Sequence, residues 1–111
     1  MGSQTYLEDL CFDLQQAAEK ALKAVLLHRG APVLYTHNLQ RLLDRVEQTG
    51  LEAPQPVAEA PYLTRFASLT RYPAADVVTP EEHAEAKKIA AAVVHWAETV
   101  VLGAQRNGSL A

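Results

Sequence analysis

The stretch from Tyr6 to His28, YLEDLCFDLQQAAEKALKAVLLH, constrains this chain more than any other part of it. It holds no Gly or Pro. Leu7, Leu10, Cys11, Leu14, Ala17, Ala18, Ala21, Ala24 and Val25 recur at the three-and-one spacing that lines one side of an α-helix. At a rise of about 1.5 Å per residue the helix is roughly 35 Å long, the span of a small domain. Glu19 and Lys23 stand four apart with the acid first, the better order for an ion pair along a helix. Phe12, Leu22, Leu26 and Leu27 lie off the stripe, so the spacing predicts a helix that must be covered on more than one side.

The remaining chain is punctuated by Gly and Pro. Gly30 and Pro32 end the first helix. Thr36 fits as an N-cap for a second helix, His37 to Gln48, with Leu39, Leu42, Leu43 and Val46 on one face and Gly50 as its stop. Leu51 to Pro61 contains three prolines and reads as a connector, at most a helical turn, that adds little to stability. Pro61 opens a shorter third helix to about Leu69 or Thr70, and Arg71-Tyr72-Pro73 must leave it. Thr79-Pro80-Glu81-Glu82 is a capping box that starts a last helix, which buries Ala86, Ile89, Val93, Trp96 and Val100 and is closed by Gly103. No stretch alternates as a strand would. The expectation is an all-α, up-and-down bundle of four main helices with a long first one, forming a single domain over 1–111 with frayed ends at 1–4 and 104–111.

Composition narrows the partners. A net charge of −3 argues against a generally basic nucleic-acid-binding surface, though not against a local patch. The single cysteine, Cys11, falls on the apolar stripe and reads as a buried small hydrophobe. No run approaches 18 apolar residues and no signal segment is visible, so a soluble, cytoplasmic protein is expected.

Three segments together resemble HEPN domains: Phe12 to Val25, FDLQQAAEKALKAV; Thr36-His37-Asn38-Leu39 with Leu42-Leu43; and Thr70-Arg71-Tyr72-Pro73. The likeness covers roughly Leu7 to Val101. It implies a small helical protein linked to nucleotides or RNA, often the partner of a small nucleotidyltransferase in a toxin–antitoxin-like pair. Such domains usually begin with one more helix than this sequence shows. Either that helix is absent here, or a second subunit covers the first helix, and the off-stripe leucines favour a homodimer joined through the first and last helices.

Ribonucleases of that family carry an Arg followed, after four to six residues, by a His. Arg29 precedes His37 with seven residues between, Arg71 precedes His83 with eleven, and no other Arg has a His downstream at useful range. The expectation is therefore a binding module rather than an enzyme; the alternatives are a ribonuclease toxin with an atypical active site and a purely scaffolding helical dimer. No two histidines stand four apart on one helix and no cysteine pair exists, so neither a metal nor another cofactor is expected. The ligand-binding candidates are Arg71 and Tyr72 in the proline loop, Arg65, His37, Lys20 and Lys23. An Arg beside an aromatic can clamp and stack on a base. From Glu19 to Arg45, across the junction of the first helical pair, Lys20, Lys23, Arg29, Arg41 and Arg45 against Glu19 and Asp44 also give a local positive excess that could meet phosphates.

Overall fold

In the computed structural model, which describes the backbone of residues 2–68 and 78–110 and the side chains of 6–68 and 78–103, two long helices carry the fold. Helix α1 spans Gly2–His28 and α4 spans Pro80–Leu110. Between them come α2, Leu39–Gln48, the single turn α3, Gln55–Ala58, and a 3₁₀ helix, Ala60–Phe66. Helix α1 packs along α4, while α2 and the 3₁₀ helix lean on α1, and α3 and the 3₁₀ helix lean on α4. No strand occurs among the described residues. The all-α bundle with a long first helix is what the sequence led us to expect.

The face that α1 buries is rotated from the expected stripe. Cys11, Ala18, Leu22, Val25 and Leu26 are buried together with two polar residues, Gln15 and Glu19. These seven follow the helical repeat, with Gln15 inside the face and Glu19 at its edge. Leu22 and Leu26 are fully buried within the one chain, and Phe12 is half-buried, so the expectation that they need a second subunit fails. Of the off-stripe residues only Leu27 is exposed. Conversely Ala17 and Ala24, placed on the stripe by spacing, face solvent.

Local chemistry sets the boundaries. After His28 the chain turns through Gly30 at φ +76°, a backbone region costly for any residue with a Cβ. The Gly30 and Ala31 amides donate back to the Leu27 and Leu26 carbonyls, a Schellman closure. Helix α2 starts two residues later than expected. Its N-cap is Asn38, whose Oδ1 accepts from the Arg41 amide at 3.2 Å, while Thr36 Oγ1 accepts from the Asn38 amide at 3.0 Å. Thr36 thus shapes the turn before the cap, and His37 lies outside the helix. Leu39, Leu42, Leu43 and Val46 are all buried, as their spacing requires.

The proline-rich connector is not an idle tether. Val57 on α3 and Ala60 at the start of the 3₁₀ helix are in the core, so this segment contributes to packing. The expected third helix is this one-turn α3 followed by the 3₁₀ helix, with Leu63 and Phe66 buried. Thr70, Arg71, Tyr72 and Pro73 lie outside the described residues. Helix α4 opens on the expected capping box: Thr79 N donates to Glu82 Oε1 at 3.0 Å and Glu82 N donates to Thr79 Oγ1 at 3.1 Å. Ala86, Ile89 and Val93 are buried, Trp96 and Val100 half-buried. Gly103 does not close the helix, which continues to Leu110. A helix-interior Gly costs only about 1 kcal/mol against Ala, and this one does not take positive φ, so nothing stops the helix there.

Candidate functional site

The cationic residues of the first two helices do not all converge on one groove. Lys23 Nζ is paired with Glu19 Oε2 at 2.8 Å. Arg29 fastens the end of α1 to the end of α2, its Nη2 donating to Thr49 O at 2.7 Å and its Nε to Thr49 Oγ1 at 3.2 Å. Lys20, one residue beyond Glu19, lines a different groove between α1 and α4. Arg65 lies at 4.1 Å over the Tyr62 ring and donates from Nε to Tyr62 O at 2.9 Å, so its stacking face is engaged within the chain. Tyr62 itself sits edge-on to Phe66 at 6.0 Å between ring centroids, and burial pushes its phenol above the ordinary value. Arg71 and Tyr72 lie outside the described residues.

Glu19 is the centre of a buried polar cluster. Its Oε1 accepts from Gln15 Nε2 at 2.9 Å and faces His37 Nδ1 at 2.9 Å, and Gln16 Nε2 donates to Gln15 Oε1 at 2.7 Å. Burial by itself raises a carboxyl, but the hydrogen bonds from Lys23, His37 and Gln15, with the Lys23 charge, outweigh it and hold Glu19 below the ordinary carboxylate range. The His37 side chain is 67% exposed, so only its Nδ1 edge is committed. The arrangement anchors the loop after α1 onto the middle of that helix. Its two ends differ: the carboxylate is desolvated, the imidazole wet.

Arg41 and Arg45 do come together. Four apart on the outer side of α2, they line a groove of about 350 Å³ with Leu34, Tyr35, Thr36, Asp44 and Gln48. The sequence placed these arginines opposite the apolar face, which is where they lie. Arg45 is half-buried; one Nη donates to Gln48 Oε1 at 3.1 Å, while its Nε is buried with no hydrogen-bond partner. Asp44 accepts from Gln40 Nε2 at 2.9 Å and forms no ion pair with either arginine among the described residues. Tyr35 is fully exposed at the rim. Tyr35 was not among the sequence candidates; an aromatic in the loop that leads into the helix carrying both arginines was the available signal. A guanidinium pair can grip phosphate oxygens through parallel hydrogen bonds, and an exposed phenol ring offers a flat face for stacking.

Among the described residues, no group of three or more His, Cys, Asp or Glu side chains could hold a metal ion, and no helix is long and apolar enough to cross a membrane. Comparison with curated proteins and with solved structures gives no match. The HEPN domain family model matches residues 3–100. That span runs from α1 to within α4 and takes in the Glu19–His37 anchor and the arginine groove. On this match, over most of its length, the chain belongs to the HEPN domain family.

Proposed function

We propose that this chain is a nucleotide- or RNA-associated binding module whose ligand lies in the groove on the outer side of α2. The observation that carries this reading is that Arg41 and Arg45 line one open groove with neither guanidinium in an ion pair among the described residues. A phosphate brings acceptor oxygens to two neighbouring guanidinium groups at once, through charge-assisted hydrogen bonds. The exposed Tyr35 ring at the rim supports the same reading, since a flat aromatic face can stack a base. The module binds rather than cleaves, since the sequence lacks an Arg followed after four to six residues by a His. Family membership further supports work as a homodimer, HEPN proteins being often dimeric, and partnership with a small cytoplasmic nucleotidyltransferase in a toxin–antitoxin-like pair.

Fluorescence anisotropy with a labelled single-stranded RNA, and competition by nucleoside triphosphates, tests the site. The Arg41→Ala/Arg45→Ala variant should bind at least about tenfold more weakly and lower the slope of log K against log salt by roughly one to two units. Tyr35→Ala should weaken binding without changing that slope. Unaltered binding by the double-arginine variant, or no binding by the unmodified protein, refutes the site. Cleavage of the RNA would replace the binding module with the ribonuclease alternative.

A further inference from the structure

The α1–α4 pair is covered on one side by α2, α3 and the 3₁₀ helix, and among the described residues nothing covers the other. That open side is an apolar groove of about 400 Å³. Its α1 wall is a shelf of small residues, Ala17, Ala21 and Ala24, and its α4 wall carries the larger Val94, Val101 and Leu102. Leu102 is 46% exposed. Two charges stand in the lining, Lys20 on the α1 wall and Glu98 on the α4 wall, and neither has an ion-pair partner among the described residues.

We infer that this groove is the seam through which two copies of the chain pair. This rests on the homodimer reading above and replaces the reasoning from Leu22 and Leu26, which the single chain buries by itself. An isologous contact sets residue i against residue j and residue j against residue i. Each wall then meets what it lacks: the valines and leucine of one copy fill the alanine shelf of the other, twice over. The charges obey the same symmetry. Lys20 of each copy faces Glu98 of the other, so one two-fold operation satisfies both unpaired groups. A partner bearing one sign of charge would neutralise one wall and repel the other.

Sedimentation velocity across a dilution series tests the seam, with circular dichroism to check that each variant keeps its helix content. The unmodified protein should be a dimer at micromolar concentration. Lys20→Glu sets acid against acid at both contacts, and Glu98→Lys sets base against base, so each variant alone should dissociate with a dimer constant weakened at least about tenfold. Mixed in equal amounts, the two variants should form a heterodimer. The substituted positions then face each other with opposite charges at one contact, and the unaltered Glu98 and Lys20 meet at the other. Ala17→Arg, at an exposed helical position, should also give a monomer. If the unmodified protein is a monomer, both the homodimer reading and the seam fall. If it is a dimer and the single-charge variants remain dimers, the homodimer stands and the seam is overturned. Failure of the mixed variants to pair also overturns the two-fold arrangement.

Discussion

Replacing Glu19 by Gln probes the one charged residue that is buried among the described residues. The carboxylate has three side-chain partners, Gln15 and His37 at 2.9 Å and Lys23 at 2.8 Å. An amide of the same shape keeps one oxygen for Gln15 and His37 but turns its NH₂ toward the Lys23 ammonium, donor against donor. The Lys23 side chain, 23% exposed, can swing into water, so the loss is chiefly one charge-assisted hydrogen bond, partly offset by removal of a desolvated charge. The expected cost is about 1–2 kcal/mol. Glu19→Ala is worse, about 3 kcal/mol, because the NH₂ of the fully buried Gln15 keeps only the 3.5 Å contact to the His37 carbonyl. At this chain length each kcal/mol lowers Tm by about 4 °C. The sign with pH follows from the depressed Glu19 pKa: its stabilisation is complete above the ordinary carboxylate value of 4.5 and is lost as pH falls through the lower folded value. The gap between unmodified protein and Glu19→Gln should therefore be widest at neutral pH and close as the pH drops below 4.5. Urea unfolding at pH 7 and pH 3 measures it. An equal gap at both pH values, or an Ala variant as stable as the Gln variant, would refute the account.

Two further substitutions test the frame around this cluster. Thr79→Ala removes one arm of the α4 capping box and should cost about 1 kcal/mol in urea unfolding, with no effect on ligand binding. Val57→Ala empties a fully packed position in the proline-rich segment and should cost about 2 kcal/mol, whereas a segment that merely tethers would lose almost nothing.

Strong local signals were legible in the sequence because a few neighbouring residues decide them. The Thr79–Glu82 box, the Gly30 stop and the spacing of Leu39, Leu42, Leu43 and Val46 depend on little outside their own turns. Helix α1 was misread by a rotation because its buried face contains Gln15 and Glu19. A hydrophobic pattern counts polar residues as outward, and only the His37 loop, eighteen residues on from Glu19, shows why this carboxylate is inside. The same rotation explains the alanines: Ala17 and Ala24 looked like core by type and are the shelf of an open groove. The cap of α2 shifted from Thr36 to Asn38 because both can cap, and the choice depends on where His37 is held. For the candidate site, residue type identified the cations but not their company. Lys23 was counted with Arg41 and Arg45 in the positive excess, yet it is held by Glu19, the pair that their four-residue spacing favours.

Glu19 and Lys20 are neighbours in sequence and face different surfaces, which separates the two proposed activities. Glu19 points inward and, through His37, fixes the loop that delivers Tyr35 and Thr36 to the rim of the arginine groove. Lys20 points into the α1–α4 groove, where no residue of α2 reaches. Ligand groove and seam therefore share no side chain, the first being lined by α2 and the loop before it and the second by α1 and α4. A dimer joined at the seam would leave Arg41 and Arg45 of both copies accessible, giving two ligand grooves per particle rather than one composite site. Bivalent attachment to a single RNA long enough to reach both would follow from that geometry, while a mononucleotide would bind the two grooves independently. It is also the reason charge reversal at Lys20 can report on pairing alone: it changes the seam and leaves the anchor of the ligand loop untouched.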